Sequence, residues 1–172
     1  KQLEKIEIPS DSKLQTINKE AFSFATIKDI TIPSSVNLIG EGAFSDCRQL
    51  EQIVIPDDSK LQIIDKNAFS FTSINSIKIP SKLVELEEGW CDYTSKLTKI
   101  DVSPLNPRYC CYEDKMIIGK TNIEDNNYDC LNFCVRDIKH INIPNFIEHI
   151  CSYSFDNCKQ LELIEISNDS KL

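Results

Sequence analysis

The stretch Leu50-Glu-Gln-Ile53-Val-Ile55-Pro56 is the clearest copy of a unit that this 172-residue chain repeats about seven times. A second clear copy is Ile74-Asn-Ser-Ile77-Lys-Ile79-Pro80. So short a unit cannot bury its apolar side chains alone, and the copies must stack on one another. The repeat therefore predicts a solenoid, a fold that presents a long repeated surface and favours binding over catalysis.

The first aliphatic anchor of each unit sets the register of the repeat. These anchors are Leu3, Ile27, Leu50, Ile74, Leu97, Ile138 and Leu161. Neighbouring anchors lie 23 or 24 residues apart, except for one step of 41 residues. We therefore predict a single domain, 1–172, with about seven coils of 23–24 residues and one irregular, hairpin-like insertion at 103–137.

Each unit predicts one short strand. In an Ile-x-Ile pair such as Ile53/Ile55, both side chains face the same way because side chains alternate along a strand. The proline that follows five of the seven pairs has no amide donor, so it marks the end of the strand. Stacked coils place these strands side by side in a parallel sheet, which we expect on the concave face.

Two further features complete each coil. Aliphatic residues such as Leu61 and Ile64 predict a second extended segment on the opposite wall. A small residue and a phenylalanine, as in Ala68-Phe69, predict close packing at the coil end. That stretch is too short for a full helix, so we expect one helical or 3₁₀ turn there. The predicted fold is thus a β-rich solenoid with short helical turns.

The pattern Leu-x-x-Ile-x-Ile-Pro, followed by an aliphatic residue, Ala-Phe and a cysteine, resembles the BspA-like leucine-rich repeat family. Leu50–Phe69 and Ile27–Cys47 carry the resemblance best, and it extends over nearly the whole chain outside 103–137. The resemblance implies a curved leucine-rich-repeat solenoid. It also implies a cell-surface protein, since many members are surface proteins of mucosal bacteria and protists implicated in attachment to host cells or matrix.

The insertion contains Asn106-Pro107, after which similar family members often carry an irregular hairpin. Three short strands are predicted within it: Tyr109–Tyr112, Lys115–Ile118 and Cys130–Cys134. Glu113-Asp114 and Ile123–Asn127 predict the turns between them. We expect this segment to bulge from the solenoid while packing against it.

Charge and composition exclude several classes of partner. The formal net charge is −8, whereas nucleic-acid binding needs a basic surface. No apolar stretch approaches the length of a membrane span, so we expect no direct membrane insertion.

The chain starts two residues before an anchor and stops halfway through the seventh unit. We expect a fragment of a longer repeat protein or, as the alternative, uncapped end coils that associate end to end.

The cysteines bear on the cellular compartment, and the chain has eight of them. Three occupy core positions of their units and are expected to be buried thiols: Cys47, Cys91 and Cys158. Four others crowd the insertion. In an oxidising compartment, one disulfide would join Cys110 or Cys111 to Cys130 or Cys134. Free thiols are the alternative, because the sequence does not contain the bridge geometry.

We expect no enzyme, no cofactor and no metal site. Adjacent Cys110 and Cys111 point to opposite faces of a strand, which suits joint ligation of zinc poorly. His140 and His149 lie in no recognisable nucleophile motif. The four glycines form no phosphate-binding loop.

The outward positions of the predicted strands make the candidate binding surface, because they flank the buried isoleucines. They are Lys5, Glu7, Asp29, Thr31, Gln52, Val54, Ser76, Lys78, Lys99, Asp101, His140 and Asn142. A rival surface is the insertion, where four aromatic residues cluster: Tyr109, Tyr112, Tyr128 and Phe133. Asn168 begins an Asn-Asp-Ser triplet and is a candidate glycosylation site in a secreted protein.

These features predict a cell-surface or secreted module for adhesion or protein-ligand recognition. Its partner would be a protein, or a ligand of the extracellular matrix or of a host surface, bound by many weak contacts. Two alternatives stay open. One is a cytoplasmic scaffold or regulatory repeat protein with reduced thiols, and the other is a spacer that holds other domains away from a surface.

Overall fold

Residues 3–172, which the computed structural model describes, form a β-solenoid of about seven coils. Its strands are β1 Thr16–Ile17, β2 Asp29–Thr31, β3 Leu38–Ile39, β4 Gln52–Val54, β5 Ile63–Ile64, β6 Ser76–Ile79, β7 Glu85–Leu86, β8 Lys99–Val102, β9 Tyr109–Tyr112, β10 Met116–Gly119, β11 Cys130–Cys134, β12 His140–Ile143, β13 His149–Ile150 and β14 Leu163–Ile166. No helix occurs among the described residues. The solenoid predicted from the repeat is confirmed.

The first wall of the solenoid contains the strands predicted from the Ile-x-Ile pairs. β2 pairs with β4, β6 with β8 and β12 with β14, always in parallel. The register aligns equivalent isoleucines of successive coils, such as Ile30 with Ile53 and Ile77 with Ile100. Equivalent side chains therefore lie above one another, as a stack of coils requires.

The second wall is a four-stranded parallel sheet in the order β1-β3-β5-β7. Backbone hydrogen bonds between coils continue beyond these short strands into the coil ends. The Phe22 N–H donates to the Ala43 carbonyl at 2.8 Å, and the Phe44 N–H donates to the Ala68 carbonyl at 2.8 Å. Each coil therefore satisfies backbone groups of the coil before it.

A ladder of aromatic rings fills the coil ends. The ring of Phe22 stacks on Phe44 with 5.4 Å between centroids, and Phe44 stacks on Phe69 at 5.5 Å. Trp90 meets Phe69 edge-on and continues the ladder to Phe133. The rings of Phe44 and Phe69 are fully buried. The phenylalanine of the Ala-Phe motif therefore belongs to the core, as the sequence predicts.

The helical or 3₁₀ turn predicted at the coil ends is wrong. Two residues of each regular coil adopt a left-handed backbone there, for example Asn67 at φ 57° and Phe71 at φ 58°. A 3₁₀ helix needs consecutive right-handed residues, so these two positions divide the segment into separate turns. Gly42 occupies one such position at φ 60°, which glycine adopts without steric strain.

The insertion folds into an antiparallel sheet that packs on the solenoid. β10 lies between β9 and β11 and pairs with both. The strands lie where the sequence predicts them, although β10 begins one residue later than expected. β11 then pairs in parallel with β13 and returns the chain to the stack. The C-terminal part of the predicted insertion therefore belongs to the fifth coil.

Phe69→Ala should lower the free energy of unfolding by about 3–5 kcal/mol, because it empties a fully buried ring site in the aromatic ladder. Phe24→Ala is the matched control, since the Phe24 ring is 68% exposed. Its removal should change stability by less than ~1 kcal/mol. Denaturant unfolding of both variants measures the difference. Equal losses in the two variants would contradict the buried ladder.

Candidate functional site

The first candidate surface is the strand face, which we define as the outward side chains of the first wall. All twelve residues predicted from the sequence lie in the described part of the chain, and ten of them are exposed. The register places Asp29 beside Gln52 and Thr31 beside Val54. The structure therefore brings the predicted residues of successive coils into two parallel columns.

Ion pairs link neighbouring coils on the strand face. The Lys78 ammonium contacts Asp57 and lies 3.8 Å from a carboxylate oxygen of Asp101. The hydrogen bond with Asp57 raises the pKa of Lys78. Lys99 is exposed and forms no ion pair with any carboxylate in residues 3–172. Lys99 is therefore a positive charge on the strand face that no carboxylate of residues 3–172 neutralises.

The strand face is divided at the insertion. β4 lies against β6, so the columns continue from coil two to coil five. Among the described strands, β8 does not pair with β12. His140 and Asn142 therefore form a separate patch, where they lie beside Leu163 and Glu165 of β14.

The second candidate surface is the seam cleft, a half-open cavity of about 320 Å³ between β7 and the insertion. One side is the segment 85–90, and the facing side contains Arg108, Tyr109 and Lys120. No repeat or motif predicts this cavity, because it depends on how the insertion folds back. The one signal in the sequence is the fourth unit, where Trp90-Cys91 replaces Ala-Phe.

Side chains of the insertion bind part of the open edge of β7. The Leu86 N–H donates to Tyr109 Oη at 3.0 Å, and Arg108 Nη1 donates to the Val84 carbonyl at 3.0 Å. In the regular coils, backbone amides of the next coil bind the equivalent carbonyls. The Leu86 carbonyl accepts no such hydrogen bond from residues 3–172. The seam cleft therefore contains a backbone acceptor that a regular coil would satisfy.

The seam cleft has an acidic side and a basic side. The hydrogen bond between Glu85 and Glu87, together with burial and nearby carboxylates, raises the pKa of Glu87. Within the described part of the chain, no lysine or arginine forms an ion pair with Glu85, Glu87 or Glu88. Arg108 and Lys120 line the facing side. The seam cleft therefore contains charges of both signs that form no ion pair with each other.

All eight cysteines are free thiols in the structure. β10 separates Cys110 and Cys111 on β9 from Cys130 and Cys134 on β11, so the outer strands lie about 10 Å apart. A disulfide needs Cα atoms within about 7 Å. The strand order therefore does not support the bridge predicted from the sequence. The Cys130 thiol instead lies 2.8 Å from the Thr121 hydroxyl, and the Asn132 amide donates to Cys151 Sγ at 3.4 Å.

A buried arginine joins coils four and six across the insertion. Arg136 donates to the Ser154 carbonyl at 3.2 Å and to Cys91 Sγ at 3.6 Å. Its guanidinium also lies 4.4 Å from the ring centroid of Phe133. Cys91 occupies the position that phenylalanine fills in the regular coils. The smaller thiol therefore leaves room for the guanidinium.

Asp92 is a buried carboxylate near this arginine, yet the two form no salt bridge within 4 Å. Burial and the charge of Asp156 raise the pKa of Asp92 to about 6, although the charge of Arg136 opposes the shift. Asp92 Oδ1 accepts no hydrogen bond from the described residues. The ionised form of Asp92 therefore destabilises the fold at neutral pH.

Three further predictions concern sites outside these surfaces. Asn168 is exposed, and its glycosylation stays a prediction. Within the described range, no three histidine, cysteine or carboxylate side chains are grouped so that they would hold a metal ion. The same range contains no helix with the length and apolar character needed to cross a membrane.

The repeat and the stacked coils identify the family. The family model for the BspA type leucine rich repeat region matches residues 1–108 and 108–171, with six copies. The chain belongs to the BspA-type leucine-rich repeat family. The resemblance inferred from the repeat motif is therefore confirmed. No curated protein matches the chain.

Solved structures share this solenoid fold. The pneumococcal vaccine antigen PcpA aligns with a TM-score of 0.81 and 23% identity, over 92% of this chain and 38% of that chain. A leucine-rich cell surface protein from Faecalibacterium prausnitzii aligns with a TM-score of 0.66 and 22% identity, over 82% and 42%. A leucine-rich repeat protein from Eubacterium ventriosum gives 0.70 and 20%, over 91% and 46%. These similarities show the fold, and the chain spans less than half of each of these three proteins.

Asp92→Asn should alter the pH dependence of stability in this BspA-type domain. The pKa of Asp92 is higher in the folded state, about 6 against 3.8, so its contribution to stability falls as the pH rises between these values. The substitution should remove that fall and raise the free energy of unfolding at pH 7 by about 1–2 kcal/mol. Denaturant unfolding across this pH range measures it. Asp58→Asn, at an exposed position, is the control that should keep the fall. An unchanged pH profile in the Asp92 variant would contradict this account.

Proposed function

We propose that this chain is a surface-exposed or secreted module that recognises a protein or extracellular-matrix ligand without catalysis. The observation that carries the proposal is the strand face, where paired strands hold exposed polar and charged side chains in two columns. A rigid array of this kind binds through many weak contacts, and display of several copies multiplies their effect. Repeat proteins commonly use such extended surfaces for binding.

Two solved structures support the proposed location. One is a vaccine antigen of the pneumococcus, and another is described as a cell surface protein. The buried thiols of Cys47 and Cys91 suit a surface protein and a cytoplasmic protein equally. Burial raises the pKa of Cys47 to about 11 and that of Cys91 to about 12. A thiol with so high a pKa is mostly protonated and therefore unreactive. A cytoplasmic scaffold and a spacer are the competing outcomes of the binding test.

Lys99→Glu should weaken binding of the chain to an acidic ligand by about three- to tenfold, because it reverses an exposed and unpaired charge on the strand face. Immobilised collagen, fibronectin and laminin, together with cultured epithelial cells, are the probes. Lys82→Glu is the matched control, with the same charge change at an exposed turn position. Equal effects of both substitutions would contradict a role for the strand face. Failure of the parent chain to bind any probe would favour the scaffold or the spacer.

A further inference from the structure

We propose that the seam cleft binds a short free peptide, which it holds by both charged ends and by one backbone amide. The seam cleft is distinct from the strand face. The strand-face variants therefore test the proposed function and should leave peptide binding in the cleft unchanged.

The size and lining of the seam cleft suit a small ligand. Its volume of about 320 Å³ lies at the lower end of the range for small-molecule sites, about 300–1,000 Å³. Trp90 and Tyr109 both line it and are themselves buried, so they provide rigid apolar walls. The cavity thus has a mixed lining, in which these two rings lie among charged and polar side chains.

The backbone of β7 offers an acceptor to a peptide amide. The N–H groups of Glu85 and Glu87 donate to coil three, so the backbone groups of Leu86 between them point the other way, towards the cleft. Tyr109 already binds the Leu86 N–H, whereas the Leu86 carbonyl accepts no hydrogen bond from the described residues. A peptide N–H is the donor that a strand edge of this kind binds.

A buried side-chain acceptor lies in the same cavity. Asn132 lines the seam cleft, and its Oδ1 is buried without a hydrogen-bond partner among the described residues. Gly119 makes room for this oxygen, because a Cβ at that position would lie only 2.4 Å from it. This oxygen is inaccessible to solvent, so it belongs to the wall of the cleft and does not contact a ligand directly.

The acidic side of the cleft selects an ammonium group. Glu85 and Glu87 both line the seam cleft, and the hydrogen bond with Glu85, together with burial and the charge of Glu85, raises the pKa of Glu87. No cationic side chain of residues 3–172 neutralises them. The ammonium end of a peptide placed here would stabilise both carboxylates.

The basic side of the cleft selects a carboxylate. Arg108 is held in position by hydrogen bonds to the Val84 and Lys120 carbonyls, which use two of the five donors of its guanidinium. The remaining donors suit a carboxylate ligand, and Lys120, which also lines the cleft, has its ammonium 5.7 Å from the ring centroid of Tyr128. A purely basic or purely acidic ligand would be repelled by one side of the cleft. The two sides together therefore point to a zwitterion.

An NMR titration of the ¹⁵N-labelled chain with the dipeptide Ala-Ala tests this inference. Saturable shifts should appear at the amides of Leu86, Gly89 and Gly119, which lie in or beside the seam cleft. N-acetyl-Ala-Ala and Ala-Ala-amide each lack one end charge, and each should bind at least about tenfold more weakly. These comparisons use the unaltered chain, so they do not depend on whether a variant folds.

Two pairs of variants separate the two sides of the cleft. Glu85→Gln should weaken binding of Ala-Ala about tenfold but leave the affinity for its N-acetyl form unchanged, and Glu124→Gln is its control at an exposed site in the insertion. Lys120→Gln should weaken binding of Ala-Ala but not that of its amide, and Lys115→Gln is its control. The inference is overturned by equal affinity for all three dipeptides, by shifts confined to the strand face, or by no saturable shift at millimolar Ala-Ala.

Discussion

The interaction on which this structure depends is the backbone hydrogen bonding between successive coils. Amides at the coil ends, such as those of Phe22, Phe44 and Phe69, donate to carbonyls of the next coil. The same stacking buries the equivalent isoleucines of successive coils and the aromatic ladder. No coil contains enough apolar surface to fold alone, so stability belongs to the contacts between neighbours. The strand face follows from this constraint, because the register that buries the isoleucines also aligns the residues that point outward.

The insertion interrupts this stacking, and side chains there take the place of backbone partners. Tyr109 and Arg108 bind the edge of β7, and the Asp156 carboxylate accepts the Tyr93 N–H at 2.9 Å. Arg136 occupies the space left by a cysteine at a phenylalanine position. The seam cleft lies at this junction, and so does Asp92, whose pKa is raised. The buried polar atoms without a hydrogen-bond partner among the described residues belong to Asp92, Asn132 and Arg136, which lie there too. The cavity, the carboxyl group with a raised pKa and the unpartnered polar atoms are therefore concentrated at the irregular coil.

The parts of the fold that recur at a fixed spacing are predictable from the sequence. The Ile-x-Ile strands, the aromatic positions and even the strands of the insertion lie where the residues indicate. The coil ends are not predictable from the sequence. Phe71 adopts a left-handed backbone there, and because phenylalanine normally avoids that conformation, the residue type does not indicate it. The seam cleft and the hydrogen bond from Asn132 to Cys151 Sγ join residues from different coils. Their positions depend on tertiary folding that no local pattern records.

Residue-resolved amide hydrogen exchange tests the stacking of the coils most directly. The amides of Phe44 and Phe69 donate to the next coil, whereas the equivalent Cys91 amide has no backbone partner within residues 3–172. The account predicts slow exchange at the first two positions and exchange at least about a hundredfold faster at Cys91, because local opening requires no broken hydrogen bond there. Equal protection at all three positions, or fast exchange at Phe44 and Phe69, would contradict it.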